Sequence, residues 1–224
     1  MNSRLGILVG ASVIGSEESQ LLSTINNTNS YKVAVDGGIK FFIKHNIKPD
    51  FWLGDMDSTR EMELEKINPD INLDSFLKDI NSTEVSPIKD DTDMALGIDH
   101  ALRHDCNEIV IYGGLGGKRM SHTFANVQLL HRYAKQGINI QMISEEKVVF
   151  VLYNDKIELP MKESGFVSIL SLTDRSENVS IKNLFYEYEG DLTNDVALGV
   201  SNEFIGKPAS VSVENGALLI IYSR

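Results

Sequence analysis

The chain has 224 residues, 42% apolar and 24% charged, an ordinary globular composition with length for one large domain or two small ones, which excludes a disordered tail or a disulfide-held peptide scaffold. Its 21 Lys and Arg against 32 Asp and Glu leave a net charge of −11, which repels a nucleic-acid backbone but still admits an anionic small substrate where a metal ion or a local basic group offsets the acidic background. No apolar run approaches the ~20 residues of a membrane-spanning helix, so the expectation is a soluble protein that engages neither nucleic acid nor membrane.

Residues 5–14 are apolar but interrupted by Gly6, Gly10 and Ser12, and they read as a buried first strand with its turn rather than as a signal peptide. Apolar β-branched runs then recur at 31–35, 51–53, 84–88, 108–112 and 138–143, with stretches of helical period between them at 39–45, 58–67, 92–103 and 123–136. Ser58 with Glu61 fits a capping box, and Gly137 stands where a helix C′ glycine belongs. Strands apolar enough to be covered on both faces, alternating with helices, predict a mostly parallel sheet flanked by helices: an α/β, Rossmann-like three-layer domain over residues 1–145. Beyond it the helical period disappears, and short alternating runs at 148–152, 166–172, 179–181, 209–213 and 217–222 predict a C-terminal antiparallel β-sandwich domain over residues 146–224. Asn215-Gly216 between the last two runs carries the chemistry of a type I′ hairpin turn. The single cysteine, Cys106, forms no internal disulfide; it is expected as a buried, inert thiol and fits a reducing, cytoplasmic setting.

Acidic residues gather at the predicted strand ends: Asp36-Gly37-Gly38, Pro49-Asp50, Gly54-Asp55-Met56-Asp57-Ser58 and Lys89-Asp90-Asp91-Thr92-Asp93. In an open α/β sheet the loops leaving the carboxyl ends of the strands form the ligand crevice, so seven carboxylates are expected at one edge. Two like charges 4 Å apart repel by on the order of 4 kcal/mol at an effective dielectric of 20, and a cluster of this kind calls for a cation. A single aspartate at such a place is ordinarily a turn or N-cap residue; the Gly-Asp-x-Asp-Ser turn together with Asp90 and Asp93 reads as a site for a hard, oxygen-ligated ion of the Mg²⁺ type.

Tyr112-Gly113-Gly114-Leu115-Gly116-Gly117-Lys118-Arg119 follows a strand and precedes a helix, where backbone amides and a helix N-terminus can hold phosphate; a plain glycine turn fits the segment equally. A P-loop would need Gly at Tyr112 and Ser or Thr at Arg119, and a dinucleotide fingerprint would need a third small residue at Arg119, so neither is present. Arg119 adds a fork suited to phosphate oxygens, while His122 and Asn126 share one face of the following helix. His100 and His104 lie four apart without a third ligand and are read as surface helix residues, and Trp52 as core.

Taken together, these segments, with His122-Thr123-Phe124-Ala125-Asn126 and Gly199-Val200-Ser201-Asn202-Glu203, resemble the thiamine pyrophosphokinase family over nearly the whole chain. The resemblance implies transfer of pyrophosphate from ATP to thiamine, Mg²⁺ as cofactor, and a homodimer whose thiamine pockets each combine the nucleotide domain of one subunit with the β domain of the other. Carried onto this sequence, it implies Asp55, Asp57 and Asp90 as metal ligands and, with Arg119, as catalytic residues. It likewise implies Lys89 beside Arg119 on phosphate, Asp36, Gly37, Gly38, Ser58, Thr92, Asp93, His122 and Asn126 lining the nucleotide cleft, and Ser201 and Asn202 as thiamine-binding residues. Ser121 stands where the family pattern Gly-Arg-x-Asp-His carries an aspartate, and Lys118 adds a cation in the same turn. Two other readings of the same segments are a pyrophosphokinase acting on another hydroxymethyl heterocycle, such as a pterin, and a nucleotide-binding sensor without catalysis.

Overall fold

The computed structural model describes residues 4–12, 14–27, 29–54, 64–78, 80–83, 91–116 and 120–224. By its contacts the chain divides into two compact units, Met1–Asn126 and Val127–Arg224.

The first unit holds strands β1 (Arg4–Val9), β2 (Tyr31–Val35), β3 (Phe51–Leu53), β4 (Ser82–Thr83) and β5 (Cys106–Tyr112). Its helices are α1 (Glu18–Asn27), α2 (Ile39–Lys44), α3 (Leu73–Lys78) and α4 (Asp93–Arg103), with single 3₁₀ turns at Asp36–Gly38 and Leu64–Lys66. Helix α5 (Met120–Ala134) begins here and runs past the division between the units. The strands lie in the order β5-β1-β2-β3-β4, every neighbouring pair parallel. Ile7, Leu8 and Val9 of β1 are fully buried, as a central parallel strand requires. Gly97 brings α4 down onto the sheet: a β-carbon there would meet Val35 at 3.0 Å and Leu8 at 3.3 Å. Cys106 is buried as expected, and burial pushes its thiol pKa up.

The second unit is β throughout after α5. One layer has the order β6 (Asn139–Ile143), β7 (Lys147–Tyr153), β14 (Ala217–Ser223), β9 (Phe166–Ser171) and β12 (Asn202–Glu203). The other has β11 (Tyr188–Thr193), β10 (Arg175–Lys182), β13 (Ala209–Ser212) and β8 (Lys156–Leu159), and the pairs in both are antiparallel. Alternate residues Val167, Ile169, Val179, Ile181 and Val211 are buried, the period of strands covered on one face. This is the α/β-then-antiparallel architecture expected from the patterning.

Several local expectations are corrected. Asn215-Gly216 is not a hairpin turn: β13 pairs with β10 and β8, whereas β14 pairs with β7 and β9, so the chain passes from one layer to the other at this point. The β7–β8 connection crosses beside it, and the two crossings are tied together. Asn154 N donates to the Gly216 carbonyl at 3.1 Å, Gly216 N to Asn154 Oδ1 at 2.7 Å, and Val213 N to the Asp155 carbonyl at 3.0 Å. Asn215 instead exchanges bonds with Glu177 across an isolated bridge. Helices α1 and α3 carry too few apolar residues, with only Leu21 and Phe76 fully turned into the core, for a helical period to stand out. The strand expected at 84–88 and the first part of the helix expected at 58–67 lie outside the described residues, and 64–66 is a 3₁₀ turn.

His100 is not a surface residue. Its ring stacks on Phe51 with centroids 3.5 Å apart and its Nε2 meets the Tyr31 hydroxyl at 2.9 Å, while His104 stacks on its other neighbours. Asp50 does not join the acidic edge. It precedes β3 rather than following a strand, which in a parallel sheet places it at the opposite, amino edge; there it pairs with Lys32 at 2.7 Å and accepts from Lys32 N at 2.8 Å.

Candidate active site

The chain lays down β1 to β4 in one direction and then returns to place β5 on the other side of β1. The carboxyl ends of β1 and β5 therefore flank a topological switch point, where loops leaving the two strands turn apart and leave a crevice. A cavity of about 370 Å³ opens there. Gly10, Ala11 and Ser12 after β1 line it, as do Val35 and Asp36 at the end of β2 and Gly113, Gly114 and Gly116 after β5. Asp91 to Met94 at the start of α4, and His122, Ala125 and Asn126 of α5, complete the lining.

Two glycines make the crevice possible. Gly10 N donates to the Tyr112 carbonyl at 2.7 Å and Ser12 N to the Gly113 carbonyl at 3.1 Å, drawing the two loops together. A β-carbon on Gly10 would lie 2.6 Å from the Gly113 carbonyl oxygen, and Gly113 itself holds φ +64°. Beside the crevice Gly38 packs its α-carbon onto the end of β1, where a β-carbon would fall 1.8 Å from the Val9 carbonyl oxygen. Asp36 holds a left-handed φ of 50°, a conformation that costs a non-glycine residue on the order of 1–3 kcal/mol, and its carbonyl accepts from the buried Trp52 indole at 3.3 Å.

Thr92 and Asp93 stand where the spacing predicts, and the geometry specifies what Thr92 does. Its hydroxyl caps α4, accepting from Ala95 N at 3.2 Å, and its own N–H donates to Asp91 Oδ1 at 3.0 Å. Asn126 donates through Nδ2 to the Gly114 carbonyl at 2.7 Å, which pins the glycine loop to α5. Ser121 is exposed on the first turn of α5 and is not part of the lining. Gly37 and Gly38 border an adjoining cavity of about 340 Å³ that shares Gly10, Ala11 and Ser12 with the first.

Asp36, Asp91 and Asp93 are thus brought to one crevice with His122 and Asn126. Asp55, Asp57, Ser58, Lys89, Asp90 and Arg119 lie outside the described residues. Among the described residues no group of three or more His, Cys, Asp or Glu is placed to hold a metal ion. The described lining is nevertheless oxygen-rich, with carboxylates, the Ser12 and Thr92 hydroxyls, one amide, a single imidazole and no thiolate, which fits a hard cation of the Mg²⁺ type. In the second unit Ser201 is exposed at φ 58° and its N–H donates to Ser168 Oγ at 3.1 Å. Asn202 is buried, and its amide holds the chain at Tyr186, accepting from Tyr186 N at 2.9 Å and donating to the Tyr186 carbonyl at 2.7 Å. Gly10, Ala11 and Ser12 were not among the residues expected at the site; the small-residue turn directly after an apolar strand is the signal that marks them.

Residues 22–142 match the family model for the thiamin pyrophosphokinase catalytic domain, and residues 155–218 match that for the thiamin pyrophosphokinase vitamin B1 binding domain. Thiamine pyrophosphokinase of Bacillus subtilis is 26% identical over 196 residues, which span 85% of this chain and 86% of the relative. The crystal structure of thiamine pyrophosphokinase from that organism superposes with a TM-score of 0.80 at 23% identity, covering 98% of this chain and 99% of the other. That of thiamin pyrophosphokinase from Geobacillus thermodenitrificans gives 0.82 at 22% identity, covering 98% and 97%. The yeast thiamin pyrophosphokinase structure gives 0.72 at 14% identity, covering all of this chain and 87% of the other. With both family models matched in order and the first spanning more than half of its length, the chain belongs to the thiamin pyrophosphokinase family.

Proposed function

We propose that this protein transfers a pyrophosphoryl group from ATP to the primary hydroxyl of thiamine, with Mg²⁺ as cofactor, releasing AMP and thiamine diphosphate. The observation that carries the reading is the tandem match of catalytic and vitamin-binding family models along one chain. The hydroxyl oxygen forms a bond to the β-phosphorus, the bond from that phosphorus to the α,β-bridging oxygen breaks, AMP departs with that oxygen, and the hydroxyl proton is released. Such transfers depend chiefly on positioning and on offsetting dispersed negative charge. Mg²⁺ supplies positive charge against the triphosphate, and Asp55, Asp57 and Asp90 are the residues proposed to hold it.

Lys89 and Arg119 are assigned to phosphate. Asp36, Gly37, Gly38, Ser58, Thr92, Asp93, His122 and Asn126 form or frame the nucleotide cleft, Thr92 and Asn126 by fixing α4 and the glycine loop. Ser201 is assigned to thiamine through its hydroxyl, and Asn202 by shaping the neighbouring backbone at Tyr186. Residues 1–145 serve as the nucleotide domain and 146–224 as the thiamine domain. The protein works as a homodimer with shared active sites, a reading supported by the exposed Phe166, Phe185, Tyr186 and Val200 of the second unit. A cytoplasmic location completes it, in keeping with the single free thiol.

The test is to incubate purified protein with ATP, Mg²⁺ and thiamine and to identify the products. AMP with thiamine diphosphate is expected, and Asp57→Asn is expected to lower turnover by about a hundredfold or more, as when a group stabilising transition-state charge is lost. ADP with thiamine monophosphate, or no turnover, would overturn the reading, and near-normal activity in Asp57→Asn would remove Asp57 from the site.

A further inference from the structure

The glycine loop after β5 is held by hydrogen bonds to its carbonyls. Gly113 O accepts from Ser12 N at 3.1 Å, Gly114 O from Asn126 Nδ2 at 2.7 Å, and Gly116 O from Thr123 Oγ1 at 3.2 Å and Ser12 Oγ at 3.4 Å. Gly116 N in turn donates to Thr123 Oγ1 at 3.1 Å, so one hydroxyl closes both polar groups of that residue. Gly116 sits at φ +77°, and among the described residues a β-carbon built on it would meet nothing within 4 Å, so the bonds to Thr123 Oγ1 are the contacts that hold it. Ser12, Gly113, Gly114, Gly116 and Asn126 all line the cavity, whereas Thr123 does not.

We infer that Thr123 is a positioning residue for the nucleotide: through Gly116 it holds the loop with its carbonyl oxygens engaged, so that the loop's amides rather than its lone pairs are offered to phosphate. Carbonyl lone pairs facing a polyphosphate would repel it, whereas successive amide N–H groups form a concave anion site. Among the described residues the amide of Gly114, which lines the cavity, has no hydrogen-bond partner and is available for that use. The inference rests on the ATP-dependent reading above and adds to it a residue outside the cavity whose hydroxyl sets nucleotide affinity.

The test compares Thr123→Val, which keeps the shape and removes the hydroxyl, with Thr123→Ser, which keeps the hydroxyl. ATP with Mg²⁺ is titrated calorimetrically into each protein, alongside steady-state kinetics and melting temperature. Thr123→Val is expected to weaken ATP binding and raise KM for ATP by about tenfold, with KM for thiamine and melting temperature close to wild type, and Thr123→Ser is expected to restore ATP affinity. If Thr123→Val loses its fold, Thr123→Ala carries the same comparison. Unchanged ATP affinity without the hydroxyl, or failure of Thr123→Ser to restore it, overturns the inference. Wild-type protein that binds ATP yet releases no AMP with thiamine would instead sink the proposed reaction, while the affinity difference between the variants would still stand for the clamp.

Discussion

His100 combines a helix position that reads as surface with an environment that is not. Burial first, then the neighbouring charges of His104 and Arg103, push its pKa down to about 4. The unfolded imidazole titrates near its ordinary value of 6.5, so between these two pH values the unfolded chain binds the extra proton. The contribution of neutral His100 to stability is therefore complete above pH of about 6.5 and is lost as the pH falls towards about 4. Melting temperature is expected to fall over that window more steeply in the wild type than in His100→Gln, and the difference between the two profiles isolates this residue. Coincident profiles would remove it as a determinant of acid stability. The candidate cleft was partly legible residue by residue, since Asp36 follows a strand, Thr92 and Asp93 open α4, His122 lies in the first turn of α5 and Asn126 shares its face one turn on. Asp50 was misplaced because its type and its Pro-Asp context say nothing about which end of a strand it borders, and Thr123 was passed over because a hydroxyl's partners are a matter of approach in space.

Among the elements, those with long apolar periods or explicit caps were readable. Helix α4, expected over 92–103, begins at Asp93 behind its Thr92 cap and lies against the sheet because Gly97 presents no side chain. The Asn215-Gly216 turn shows the limit of local chemistry. The pair suits a type I′ hairpin, but β13 and β14 find partners in different layers, and the glycine, at φ +126°, packs so close that a β-carbon would lie 2.8 Å from Ser176. Tertiary pairing overrode the turn preference. The 3₁₀ turn at Asp36–Gly38 offers a test of element packing. Gly38→Ala introduces no backbone conflict, because φ is −60°, but its β-carbon would fall 1.8 Å from the Val9 carbonyl oxygen. The turn or β1 must shift, at an overpacking cost of about 1–3 kcal/mol or more. Urea unfolding is expected to show that loss together with weakened ATP binding; wild-type stability would mean that the turn moves freely against β1.

For the assembly, exposed aromatic residues mark one region of the second unit. Phe185 and Tyr186 touch edge to face, Phe185 N donates to the Glu203 carbonyl, and Phe166 pairs with Glu203 across β9 and β12. Apolar side chains so grouped at the edge of a sheet layer favour burial against a partner. For the proposed dimer, sedimentation equilibrium is expected to return twice the mass of the chain, and Phe185→Asp to shift the population toward the monomer; a monomeric wild type at micromolar concentration would overturn that proposal. The alternation of apolar strands with helical stretches and the change to short alternating strands afterwards were present in the linear chain, because they follow from side-chain periodicity over a few residues; the family motifs were legible only through resemblance. What folding alone decided was the strand order β5-β1-β2-β3-β4, and with it the meeting of the Gly10 and Gly113 loops, the exile of Asp50 to the other edge and the parting of β13 from β14. Those outcomes depend on which strands bury one another's faces, a long-range packing choice that no short window of sequence contains.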